Sequence, residues 1–245
     1  MRNIIPAEKS LIVAMDVEGA WFYDLVTALE LVESIGAVKF GFLQLNTGLE
    51  SCVELARRTL GEIPIVYEHQ KIGSGVTDGD FKFAKTLKRA GVDAVIIYPF
   101  TGPTTQQDWT KSLQDEGLAV LIGGVMTHGK FLLSEGGYVA DEAVLKIYSL
   151  AIAQGVEHFV IPGNKLHWVT QIKQLLDDEL GPGKYALYGN GFVRQGGDLV
   201  SCMNLVDHKL HAIIGSAIYH CKNVEDMRKA AVQFSNQLDR GSIDK

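Results

Sequence analysis

Residues able to do acid–base or electrostatic chemistry stand at the ends of short apolar runs. Asp16 follows Leu11–Met15, and Glu68-His69-Gln70-Lys71 follows Pro64–Tyr67. Lys39 lies inside Ala37-Val38-Lys39-Phe40-Gly41. Carboxylates and amines gathered at one place can hold an anionic substrate and deliver a proton as a general acid. A lysine within an apolar run requires a carboxylate partner or a ligand anion, because an unpaired charge is costly to bury. Lys39 is therefore read as functional. An aspartate after a strand also serves as a helix N-cap, so Asp16 taken alone stays open between the two roles.

Two further strand ends carry ligand-facing chemistry, Met126-Thr127-His128 and Gly215-Ser216. The segment Gly189–Asp198 contains Gly191, Gly196 and Gly197 around Arg194 and Gln195. Paired glycines let the backbone approach a ligand closely, and the amides that follow can point at phosphate. The segment reads as a phosphate grip, with a plain structural turn as the competing reading. Its start imitates a dinucleotide fingerprint, but Arg194 occupies the third glycine's place and no acidic residue about 20 positions on follows a second strand. His208, His211, His220 and Cys221 cluster in sequence without a carboxylate at ligand spacing, so they are read as surface histidines and no metal is expected. The chain contains no P-loop, nucleophile elbow or zincin motif.

The balance of 23 Lys and Arg against 29 Asp and Glu gives a formal charge of −6, which provides no broad basic surface for a nucleic-acid polymer or an anionic membrane. A small phosphorylated ligand remains compatible, because one loop of backbone amides can bind it. Cys52, Cys202 and Cys221 form no CxxC pair, which argues against a disulfide framework. The N-terminus reaches Glu8-Lys9 before a long apolar core forms, and no run approaches the roughly 20 apolar residues a membrane span needs. A cytoplasmic location is expected.

The elements that must position these residues are also legible. With 47% hydrophobic residues, the chain can bury a core. Eight apolar runs recur: Leu11–Met15, Ala37–Phe40, Pro64–Tyr67, Ala94–Tyr98, Ala119–Ile122, His158–Ile161, Tyr185–Leu187 and Ala212–Ile214. Continuous rather than alternating apolarity is the habit of parallel strands covered on both faces. Helical spacing is read over Trp21–Ser34, Thr77–Arg89, Thr105–Glu116, Asp141–Gln154, Leu166–Glu179 and Val224–Leu238, with glycine stops at Gly36, Gly91, Gly117, Gly155 and Gly181. Repeated strand–helix units at roughly 30-residue spacing predict a single-domain (β/α)8 TIM barrel over residues 1–245, with its chemistry at the C-terminal ends of the strands.

These residues resemble those of the orotidine 5'-phosphate decarboxylase family. Leu11-Ile-Val-Ala-Met-Asp16 is similar to its first strand and Val38-Lys39-Phe40-Gly41 to its second. Gly191-Phe-Val-Arg-Gln195-Gly196-Gly197-Asp198 is similar to its phosphate loop and Ile213-Ile214-Gly215-Ser216-Ala217-Ile218-Tyr219 to its last strand. The resemblance implies a cofactor-free carboxy-lyase that acts as a homodimer on a pyrimidine nucleotide. It implies that Asp16 holds the ribose, that Lys39, Glu68 and Lys71 form the catalytic network, and that Thr127 reads the pyrimidine ring. Arg194, Gln195, Gly196, Gly197, Gly215 and Ser216 would hold phosphate, and the loop around Thr77 would complete the partner's site.

The family's third-strand signature is Asp-x-Lys-x-x-Asp, where this chain has Glu68-His69-Gln70-Lys71-Ile72-Gly73. Either Gln70 replaces the lysine or the lysine is displaced to Lys71, and Gly73 falls where the second acid is expected. Ser216 stands where the family usually has a phosphate-binding arginine, and Arg194 is placed to supply that cation from the neighbouring loop. The same barrel framework also serves sugar-phosphate lyases and isomerases, usually with a metal. A phosphate-ligand-binding paralogue without catalysis is the third reading.

Overall fold

The computed structural model describes residues 4–33, 35–68 and 80–243. The expected run of strand and helix is present. The strands are β1 (Lys9–Ala14), β2 (Ile35–Phe40), β3 (Ile65–Glu68), β4 (Ala94–Ile97), β5 (Ala119–Gly123), β6 (His158–Pro162), β7 (Ala186–Asn190) and β8 (Leu210–Ile214). They close in sequence order into one parallel barrel, β8 pairing back onto β1. The helices around it are α1 (Ala20–Leu29), α2 (Phe42–Leu60), α3 (Asp80–Arg89), α4 (Pro103–Asp115), α5 (Asp141–Ala153), α6 (Leu166–Glu179), α7 (Leu199–Leu205), α8 (Ser216–Tyr219) and α9 (Val224–Ile243). The fold is a (β/α)8 barrel.

Because side chains alternate across a strand, each strand feeds two cores. Leu11, Val13, Val38, Phe40, Val95 and Ile97 face the helices, while Ile12, Ala37, Val66, Ile96, Leu121 and Val160 fill the barrel itself. That double burial explains why the strands read as unbroken apolar runs.

One irregularity sets the phase of β2. Leu11 pairs with Ile35 but Ile12 pairs with Ala37, so Gly36 is bulged out of register. Ile35 packs with the outer core and Ala37 with the inner one, and two residues further on Lys39 follows Ala37 inward. A Cβ on Gly36 would meet Ser10 Oγ at 2.1 Å, so only glycine fits there.

The helices depart from the sequence reading in several places: α9 runs on to Ile243, past Leu238, and α7 and α8 were not expected. Helix α1 ends at Leu29, short of Ser34, and α2 has no counterpart among the expected helices. Asn46-Thr47-Gly48 resembles a turn, and Gly48 does break the helical path with φ 117°, yet helix continues on both sides of the kink.

The lower barrel interior is polar. Ser10 Oγ lies 2.9 Å from His211 Nδ1, and Tyr188 Oη lies 3.1 Å from His158 Nδ1. Both histidines are buried, so reading His211 as a surface residue is incorrect: it occupies an inward position of β8. Burial, with smaller contributions from His158 and Lys209, pushes the His211 imidazole down to about 3. The unfolded chain takes a proton there below about pH 6.5 and the folded chain does not. Stability from this group is therefore complete above about pH 6.5 and falls by about 1.4 kcal/mol per unit as pH drops towards 3. Urea midpoints at pH 7 and 4.5 should fall further for the parent than for His211→Leu; parallel losses would contradict this assignment.

Candidate active site

Alternation carries three charged side chains to the barrel mouth. Lys39 follows inward Ala37 on β2, Glu68 follows inward Val66 on β3, and Asp16 lies two residues beyond inward Ala14. Lys39 Nζ sits 2.7 Å from Glu68 Oε2 and 3.6 Å from Asp16 Oδ1. The Lys39 and Glu68 side chains are 8% and 10% exposed, whereas Asp16 is 46% exposed and free to meet a ligand. Burial alone would lower the Lys39 pKa, but the Glu68 and Asp16 carboxylates outweigh it and hold the amine above its ordinary value. The result is a fixed ammonium between two acids.

Gln44 anchors this corner. Its Nε2 donates to the Met15 and Val17 carbonyls at 2.7 Å each, and its Oε1 accepts from the Gly41 amide at 3.0 Å. The chain on either side of Asp16 is thereby tied to the end of β2. Sequence reasoning missed Gln44, because nothing in its local spacing marks a buried amide that bridges two loops.

Across the mouth, Asn190 at the end of β7 donates from Nδ2 to Tyr98 Oη at 3.1 Å. The Tyr98 ring occupies the space beside Gly123, where a Cβ would lie 2.2 Å from Cε1. Burial, and then the nearby Glu68 and Tyr148, push the Tyr98 phenol far above its usual range, so it is a neutral hydroxyl. Asn190 was read only as part of the Gly189–Asp198 segment, although it ends β7, where the strand-end rule points.

The Gly189–Asp198 segment folds back on itself. Gly197 donates to the Gly191 carbonyl at 3.1 Å, and Val193 donates to the Gly197 carbonyl at 3.0 Å. Gly191 has φ 84°, and a Cβ there would meet Thr127 Cγ2 at 2.7 Å, so the loop lies directly against Thr127. Val193 takes φ 63°, a strained conformation for a β-branched residue. Arg194 Nη1 contacts His220 Nδ1 at 2.5 Å. Asp198 is the N-cap of α7, accepting from the Val200 and Ser201 amides.

A cavity of about 520 Å³ joins these parts. Asp16, Lys39 and Glu68 line it together with Thr127, Asn190, Arg194, Gln195, Gly215, Ser216 and Tyr219. Gly196 and Gly197 shape the loop without lining the cavity. Lys71 and Thr77, with Gln70 and Gly73, lie outside the described residues. His208 Nδ1 pairs with Asp207 at 3.0 Å, and the described residues include no group of three or more His, Cys, Asp or Glu placed to hold a metal.

No protein-family model matches the chain. Curated relatives named orotidine 5'-phosphate decarboxylase do match it along most of its length. The one from Methanosarcina mazei is 26% identical over 215 residues, covering 84% of each chain. The one from Methanocaldococcus jannaschii is 27% identical over 241 residues, covering 93% of this chain and 99% of its own. Among solved structures, orotidine 5'-monophosphate decarboxylase from Methanocaldococcus jannaschii, complexed with inhibitor BMP, superposes with a TM-score of 0.77 at 20% identity, covering 95% of this chain and all of that one. The Pyrococcus horikoshii OT3 orotidine 5'-phosphate decarboxylase gives 0.71 at 18% identity, covering 92% and 99%. Along most of its length the chain is similar to orotidine 5'-phosphate decarboxylases, at 27% identity or less in these relatives.

At the barrel mouth this chain carries an acid–lysine–acid array, Asp16, Lys39 and Glu68. Ser216 lines the cavity, and Arg194 enters it from the preceding loop. The array is also a structural constraint. Lys39→Met leaves the Glu68 carboxylate buried without its cation, and breaking such a pair costs about 3–5 kcal/mol. Urea denaturation should show that loss, with Lys39→Met/Glu68→Leu recovering most of it; a single variant as stable as the parent would contradict the pairing.

Proposed function

We propose that the chain is a carboxy-lyase of the orotidine 5'-phosphate decarboxylase type, acting on a pyrimidine nucleoside 5'-phosphate without a cofactor. The observation that carries this reading is a fixed ammonium between two carboxylates in the same cavity as Arg194 and Gln195. In this reading Asp16 accepts from the ribose hydroxyls, Thr127 faces the pyrimidine ring, and Arg194, Gln195 and Ser216 meet the phosphate. The substrate carboxylate lies against Glu68, an acid held in place by Lys39. The carbon–carboxylate bond breaks, carbon dioxide leaves, and the electron pair stays on the ring carbon. A lysine ammonium of the array, Lys39 or Lys71, stabilises that charge and then delivers a proton to the carbon. Binding energy from the remote phosphate supports the chemistry at the ring.

Gly73, standing where the family's second acid is expected, favours a second reading: a paralogue that binds the phosphorylated ligand and turns it over slowly or not at all. Losing one such transition-state contact commonly costs about 10²–10³ in rate. A homodimer and a cytoplasmic location complete the proposal; sedimentation at twice the chain mass checks the former. None of the described helices is long and apolar enough to cross a membrane.

Incubation with orotidine 5'-phosphate, followed by ultraviolet absorbance, should show loss of the substrate band. Arg194→Ala should raise KM about tenfold or more with a smaller change in kcat, as for a lost hydrogen bond to a charged group. No turnover with tight binding of uridine 5'-monophosphate would select the second reading. No binding of either nucleotide would overturn both.

A further inference from the structure

Thr127 and Gln195 line the cavity from different loops, after β5 and β7. One side chain ties them together. Asn164, between β6 and α6, donates from Nδ2 to the Thr127 carbonyl at 2.9 Å and to the Gln195 carbonyl at 3.1 Å. Two carbonyls at donating distance fix which end of the amide is nitrogen, since the reverse orientation would set the amide oxygen against two carbonyl oxygens. Asn164 Oδ1 is shielded and has no hydrogen-bond partner, so the side chain is held by what it donates and not by what it accepts. The contact is close: a Cβ on Gly191 would come within 2.9 Å of that oxygen.

The next residue reinforces one half of this bridge. Lys165 Nζ donates to the His128 carbonyl at 3.2 Å and forms an ion pair with Glu135, with the two side chains 10% and 23% exposed. Glu135 in turn accepts from the Phe131 amide at 3.1 Å. The loop after β5 is thus pinned at Thr127, His128 and Phe131, whereas from this dipeptide the loop after β7 receives only the Asn164 bond to Gln195. One amide therefore joins the backbone at Gln195 to the backbone at Thr127.

We propose that Asn164 is a positioning residue that couples phosphate binding at Arg194–Gln195 to the placement of Thr127 at the ring end of the ligand. This rests on the nucleotide reading of the site given above. Coupling between sites requires a shared element whose state both ligands bias, and Asn164 bonds both loops with a single group.

Calorimetric titration of the full chain with uridine 5'-monophosphate and, separately, with inorganic phosphate tests it. In Asn164→Ala, uridine 5'-monophosphate should bind about fivefold or more weakly, in the range of ordinary coupling between sites. Inorganic phosphate should bind as in the parent, because its own contacts remain. Asn164→Leu, of similar size with neither a donor nor a charge, should repeat the selective loss even if the alanine variant folds poorly. Unchanged nucleotide affinity in both variants, or equal loss for nucleotide and phosphate, overturns the coupling while the site reading stands. A parent that binds neither probe overturns the site reading, and the coupling with it.

Discussion

A lysine ammonium whose side chain is 8% exposed persists at the barrel mouth only because a carboxylate lies 2.7 Å away and a second faces it at 3.6 Å. That electrostatic requirement organises the upper half of the barrel. It demands that β2 and β3 present Lys39 and Glu68 inward at neighbouring positions, and the Gly36 bulge brings β2 into that phase. It demands that the chain bearing Asp16 be held near β2, which Gln44 does with three hydrogen bonds to backbone. On the far side, Tyr98 and Asn190 provide polar groups that carry no charge.

The second requirement is a set of loops that approach one another closely without closing the cavity. Gly191 rests on Thr127, Gly197 packs so near the Gly191 carbonyl that a Cβ would lie 2.6 Å from it, and Asn164 spans the gap between the two loops. Strain is concentrated here, at Val193, in the segment that would meet the most highly charged part of a ligand. A rigid charged array and a strained loop joined by few bonds suit a site in which remote binding energy supports chemistry at a fixed centre.

What was legible in the sequence follows from the range over which each signal acts. Unbroken apolar runs report burial on two faces, so β1, β2, β4 and β6 were placed within two residues of their observed limits. Lys39 was legible because a charge in such a run has few physical solutions. Helix α2 was hidden by Asn46-Thr47-Gly48, whose local chemistry resembles a turn although the helix survives the kink. Asn164, the Ser10–His211 pair and the bonds from Gln44 to Met15 and Val17 were not legible at all, because the partners lie 27 or more residues away, at positions only the closed barrel brings together.

The central claim is that the array around Lys39 and the loop around Arg194 bind opposite ends of one phosphorylated pyrimidine ligand. A crystal structure of the protein with uridine 5'-monophosphate tests it most directly. The account predicts the phosphate against Arg194 and Gln195, the ribose hydroxyls on Asp16, and the pyrimidine beside Lys39 and Thr127. A nucleotide bound with its phosphate away from Arg194, or with its ring turned out of the cavity, would contradict it.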